Sequence, residues 1–233
     1  MWGRLKRPSP RRTSDLVDDC RADDSDFCQE MVSRYGLTEA QMHHAAQRYQ
    51  LGKSRSGRCI FWMMDDIGRV RDGHIGNSWA SQMFKARAPE LLKDWHARHC
   101  LFGLHLVSTG TPLPSRGNSQ GWNQPVCIVE KERTAVILSE VYPRCLWMAT
   151  VYPLNFRVDQ LEPLRGRRLT LYPPTDPTAD NFIHWLELSD QARRLYHLDI
   201  SVSTQLEDHA NQQQKQHNID LLDFLLDSSQ QST

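Results

Sequence analysis

Between Pro125 and Val202 four short apolar runs alternate with stretches of helical period, and this alternation restricts the chain more than any other feature. The runs are 126–129, 146–150, 168–172 and 198–202. A stretch from Glu132 to Val141 separates the first pair, with Ala135, Val136, Leu138 and Val141 apolar. A longer one from Asn181 to His197 separates the last pair, with Ile183, Leu186, Ala192 and Leu195 near one face. A short helix is expected over 155–164. Apolar strands joined through helices form parallel sheets, because a parallel pair needs a long crossover whose helix covers a sheet face. The expected fold class is therefore α/β, a parallel sheet with flanking helices. In such sheets the ligand site lies at the carboxyl ends of the strands.

Before residue 125 the pattern is different. Residues 27–50 read as helical, and Thr38 followed by Gln41 is a capping-box pattern that starts a helix at that point. Two β-rich runs, 57–64 and 69–75, flank the turn Asp65-Asp66-Ile67-Gly68, which is a hairpin signal. A helix is expected over 84–99, with Pro89 at its start or breaking it. Leu101 to Val107 is a short apolar run, and 108–124 is rich in Gly, Pro, Ser, Thr and Asn, as a long loop is. These parts make a small α+β subdomain containing a β-hairpin. The expected organisation is a flexible arm over 1–26, the accessory subdomain and linker over 27–124, the α/β domain over 125–227 and a tail over 228–233. Within the third part, Ile219 to Leu226 follows a Gln-rich stretch and reads as a short amphipathic helix.

Charge excludes little in sum, since 28 Lys and Arg balance 28 Asp and Glu. Its distribution is uneven. Arg4, Lys6, Arg7, Arg11 and Arg12 stand together without an acid, and seven acids between Asp15 and Glu30 follow against Arg21 alone. No apolar run reaches a membrane span, and no apolar segment follows the basic N-terminus. A cytoplasmic location and no membrane partner are expected. The six cysteines contain no CxxC pair, so they read as free thiols and no zinc is expected. His96, His99, Cys100 and His105 have a spacing that fits no common zinc frame.

The chemistry-bearing residues cluster at strand ends. Glu130 closes the first apolar run and begins Glu130-Lys131-Glu132-Arg133; Asp176 lies just past the third run in Tyr172-Pro173-Pro174-Thr175-Asp176-Pro177. If those strands are neighbours, two carboxylates face one crevice beside Lys131 and Arg133, an arrangement suited to Mg²⁺ and a phosphodiester. Each has a plainer reading. Glu130 can be a carboxylate favoured by a helix N-terminus, and Asp176 a turn or helix-capping residue. Arg165, Arg167 and Arg168 around Gly166 form a second basic cluster, a phosphate contact or a solvated turn.

An apolar strand ending in Glu, a helix, and a later strand followed by Asp resembles the Toprim signature of primases and topoisomerases. The stretch Cys127-Ile128-Val129-Glu130-Lys131-Glu132-Arg133-Thr134-Ala135 is similar to the version in primase-like proteins of Bacteroidetes mobile elements. So are residues 57–75, 100–106, 161–168, 172–177 and 219–225. The resemblance implies a nucleic-acid-associated protein in which Glu130 and Asp176 hold Mg²⁺, Glu130 moves protons, and Lys131, Arg133, Arg165, Arg167 and Arg168 contact phosphate. It departs from the family at three places. Pro174-Thr175-Asp176 stands where the family has Asp-x-Asp. Val151-Tyr152-Pro153-Leu154 replaces a glycine-rich turn that lets backbone approach phosphate. No cysteine pairs build a zinc ribbon.

These departures imply a degenerate member: Mg²⁺ binding is weak, and primase- or nuclease-like phosphoryl transfer is weakened or lost. DNA is the expected partner. The alternative is a non-catalytic module in a mobile-element replication or mobilisation complex. An α/β enzyme unrelated to Toprim proteins is a third reading.

Overall fold

The computed structural model describes residues 13–80, 82, 100–108, 124–151 and 156–230. The basic residues Arg4 to Arg12, the helix expected over 84–99 with His96 and His99, most of the 108–124 loop and Tyr152 to Leu154 lie outside the described residues.

Residues 13–20, placed by sequence in a flexible arm, form helix α1 (Thr13–Cys20). The helical stretch expected over 27–50 is two helices, α2 (Asp26–Ser33) and α3 (Glu39–Arg48), separated around Gly36, whose φ of 69° is the left-handed region. Ser25 caps α2, accepting from the Cys28 amide. The predicted capping box starts α3: the Gln41 amide donates to Thr38 Oγ1, and the Thr38 amide donates to Gln41 Oε1.

An antiparallel sheet follows in the order β1 (Gly52–Lys53), β2 (Cys59–Met64), β3 (Val70–Ile75), β4 (Ser78–Trp79). The expected hairpin is β2–β3, with Phe61 opposite His74. Asp65 organises its turn, accepting from the Ile67 and Arg69 amides and from both the Arg69 and Arg71 guanidiniums. All six β2 residues are buried. Strand alternation divides them between two cores: Ile60, Trp62 and Met64 pack with Val17 of α1, while Cys59, Phe61 and Met63 join the main core.

The second sheet is the one the sequence predicts. Strands β5 (Val126–Val129), β6 (Leu146–Ala149), β7 (Arg168–Leu171) and β8 (Asp199–Val202) are all parallel, in the order β6-β5-β7-β8. Helix α4 (Glu132–Val141) joins β5 to β6, and α5 (Asp180–Tyr196) joins β7 to β8. Between β6 and β7 the expected short helix is a 3-10 segment, Val158–Leu164, with Pro163 inside it. Short helices α6 (Gln205–His209) and α7 (Gln212–Gln216) lead to α8 (Leu221–Gln230). The outer edge of β6 is covered by Phe102, which exchanges two backbone hydrogen bonds with Ala149 at 2.9 and 3.1 Å. A 3-10 turn, Leu104–Val107, follows.

The chain enters this sheet at β5, moves to β6 on one side, then crosses to β7 on the other. The crevice beyond the carboxyl ends of β5 and β7 is therefore the topological switch point, where ligands bind in sheets of this kind. No described helix is long and apolar enough to cross a membrane.

Candidate functional site at the strand ends

Glu130 leaves β5 at this crevice. Its carbonyl accepts from the Val151 amide at 2.8 Å and the Val129 carbonyl accepts from Thr150 at 3.0 Å, so the β5–β6 ladder runs on past both strands. Burial pushes the Glu130 carboxyl up to about 7; the charges of Asp220, Glu132 and Asp223 add to the shift, against Lys131. A carboxyl poised there can exchange protons near neutrality.

Lys131 opens α4 with no side-chain cap. Its ammonium lies 3.5 Å from Asp220 and 3.2 Å from Asp223, and these two carboxylates, against the cost of burial, raise its pKa. The two aspartates start α8 by capping each other: the Asp223 amide donates to Asp220 and the Asp220 amide to Asp223. Thr134 Oγ1 of α4 donates to Asp220 as well, at 2.5 Å. Arg133 pairs with Glu30 of α2 and stacks its guanidinium 5.3 Å from the Phe27 ring centre.

Asp176 follows the neighbouring strand, as expected, but its oxygens are occupied. One accepts from the Thr178 amide and hydroxyl and from the Asp180 amide; the other accepts from the Asn181 amide at 2.8 Å. Burial works against ionisation here. The donors outweigh it, those from Asn181 and Thr178 foremost, and hold the carboxyl below its usual range. The geometry is that of a cap on the first turn of α5. Asp180, the other acid near this loop, is the first residue of α5 and accepts from Thr178.

Arg165, Arg167 and Arg168 are not brought to this crevice. Arg168 begins β7, so it lies at the amino end of the sheet, a strand's length from Glu130, roughly 13 Å for four residues. It pairs with Asp199 at 3.6 Å; Arg165 pairs with Glu162 and lies over Tyr196; Arg167 donates to the Val107 carbonyl.

The donor set does not fit a divalent ion. An Mg²⁺ site needs ionised oxygens free to converge. Asp176 is committed to α5, burial favours the protonated form of Glu130, and a buried proline fills position 174. Among the described residues no group of three His, Cys, Asp or Glu side chains is placed to hold a metal.

Beside Glu130 a cavity of about 610 Å³ opens between the antiparallel sheet and the first turn of α4. Arg58, Lys131 and Arg133 supply positive charge, Asp26 and Glu132 negative charge, and Phe27, Phe61 and Val151 apolar wall. On its wall His74 Nδ1 of β3 lies 2.8 Å from Glu132 Oε1, and both side chains are largely buried. Val151 has φ 73°, a left-handed backbone that is strained for a β-branched residue. It marks the first position of the segment that stands where a glycine turn was expected.

Sequence reading missed Asp220, Asp223 and His74. Asp220-x-x-Asp223 before an apolar run is a capping signal, but nothing local tells that it folds onto Lys131, 89 residues earlier in sequence.

Residues 25–175 match the family described as Domain of unknown function (DUF6371). No curated protein sequence matches the chain. A solved structure of the DnaG catalytic core superposes on 93% of this chain and 82% of its own, with a TM-score of 0.52 and 14% sequence identity. At that identity the likeness is one of fold. It spans both the antiparallel unit and the parallel sheet.

Proposed function

From its membership of the DUF6371 family and the fold it shares with the DnaG catalytic core, we propose that this chain is a primase-like, nucleic-acid-associated protein whose metal-dependent phosphoryl transfer is weakened or lost. The observation that carries this reading is the pairing of a primase-type switch-point crevice with an Asp176 turned to helix capping. The crevice keeps Glu130 and, in the adjoining cavity, Arg58, Lys131 and Arg133. DNA is the proposed ligand, held through phosphate rather than through base edges, with Arg165, Arg167 and Arg168 as a separate patch at the far end of the sheet. An origin in mobile elements and residence in the cytoplasm belong to the same proposal.

One observation favours a second reading. Lys131 and Arg133 are already paired with Asp220, Asp223 and Glu30, so a phosphate must compete with internal carboxylates. A non-catalytic module in a replication or mobilisation assembly needs no such competition.

Fluorescence anisotropy with single-stranded and duplex DNA across a salt series separates the two. Phosphate contacts release counterions, so binding should weaken steeply with salt. Each contacting cation removed should lower the slope by about one unit. Lys131→Ala/Arg133→Ala should flatten it by about two units. Absence of binding to either DNA at low salt would replace the nucleic-acid reading with the protein-binding one.

A further inference from the structure

Helix α4 is one of the elements through which the parallel sheet meets the N-terminal unit, and it carries a histidine–carboxylate bridge near each end. At its first turn Glu132 meets His74 of β3 at 2.8 Å; near its last turn Glu140 meets His44 of α3, also at 2.8 Å. Glu132 and Glu140 are both largely buried. Between them the Tyr49 hydroxyl donates to the Trp147 and Ala135 carbonyls, a contact with no proton to lose near neutrality.

We infer that the His74–Glu132 bridge is a pH-released latch, closed in mild acid and loosened as pH rises, that sets the width of the cavity between the antiparallel sheet and α4. A charge-assisted hydrogen bond is roughly twice as strong as a neutral one, so removing the His74 imidazolium proton weakens its bridge to Glu132 without deleting it. The Tyr49 contact and the shared apolar core hold the middle of the interface, and loosening is confined to the cavity end.

The charges around His74 come from several elements. Glu132 of α4, Asp72 of β3 and Asp26 of α2 favour the imidazolium; Arg58 before β2 and Lys131 and Arg133 of α4 oppose it. Burial alone would lower the His74 pKa, but the hydrogen bond and charge of Glu132, with Asp72, outweigh it and leave a net rise above 6.5. A histidine raised in the folded state adds stability that is complete below 6.5 and fades as pH climbs through the folded value. The inference does not depend on what the crevice binds.

Glu130 titrates in the same range, so the measurement is made in Glu130→Gln, which removes that contribution. There, hydrogen exchange of β3 and first-turn α4 amides, corrected for intrinsic rates, should lose protection as pH rises from 5.8 to 8.5. Adding His74→Gln should make the profile flat. A flat Glu130→Gln profile, or a pH-dependent one in Glu130→Gln/His74→Gln, overturns the latch. Proton NMR of the wild-type imidazoles needs no variant to fold: a His74 midpoint above 6.5 supports the latch, and one at or below 6.5 overturns it.

Discussion

The hydroxyl of Tyr49, at the end of α3, donates to the carbonyl of Trp147 in β6 at 2.9 Å, inside the molecule and away from solvent. The Tyr49 ring stacks on Phe102, the residue that covers the β6 edge, and Gly103 follows with φ 82° and only 3.0 Å between a would-be Cβ and the Trp147 carbonyl. One phenol thus joins helix, edge strand and covering segment.

Tyr49→Phe should cost about 1–2 kcal/mol, since it strips a buried carbonyl of a donor while keeping the ring. Gly103→Ala should cost at least as much, about 2 kcal/mol, from the left-handed backbone and the contact with Trp147. Urea unfolding of each variant measures both.

Asp176→Asn should destabilise the chain by about 1 kcal/mol, because the amide offers α5 one good acceptor where the carboxylate offers two. The Asp176 pKa is lowered in the folded state, so its contribution is present above the ordinary value of 3.8 and is lost as pH falls through the folded value. The difference between wild type and variant in thermal melts should therefore shrink towards pH 2. Calorimetry with Mn²⁺ should show the same weak heats for both proteins.

Glu130→Gln should stabilise the chain at alkaline pH. The folded state holds this carboxyl near 7 against an ordinary 4.5, so ionising it costs stability progressively between those values. The gain should reach at most about 3 kcal/mol at pH 8 and vanish by pH 4. Melting temperatures across that range decide it, and a constant offset between the two proteins would place Glu130 in an ordinary solvated setting.

Lys131→Ala should destabilise by about 1–2 kcal/mol, less than for a fully buried pair because the lysine remains partly exposed. The loss comes from stranding Asp220. Asp220→Asn in the same chain should recover part of it, which a double-mutant cycle reads directly.

The parallel sheet was legible because β5 and β6 are wholly apolar, β7 and β8 alternate apolar with polar side chains, and helix-length stretches separate them; β5 to β8 fall within a residue of the sequence reading, while the buried face of α5 is Trp185, Leu188 and Ala192 rather than Ile183, Leu186 and Leu195. The capping box at Thr38 and the β2–β3 hairpin were legible for similar local reasons. The candidate site was legible only in part. Glu130 and the neighbouring strand of Asp176 follow from topology, but the direction of the Asp176 carboxylate depends on how the loop 173–179 meets α5. The Arg165 to Arg168 cluster was grouped with Lys131 by charge, and chain direction separates them: one precedes a strand, the other follows one. The contacts of Asp220, Asp223 and His74 link residues 58 to 92 positions apart, beyond any periodicity.

Tyr49 stacks on Phe102, Phe61 of the antiparallel sheet meets Phe102 edge to face, and all three merge with the residues of β5 to β7 into one apolar cluster. A break in the linker therefore does not release two self-sufficient halves. A fragment beginning at residue 125 would carry the outer side of β6 and the inner face of α4 bare to water, and one ending at residue 124 would leave Phe61 and Tyr49 without a floor. Expressed separately, the halves should be sticky and poorly folded; mixed from denaturant, they should find each other and restore the native spectrum.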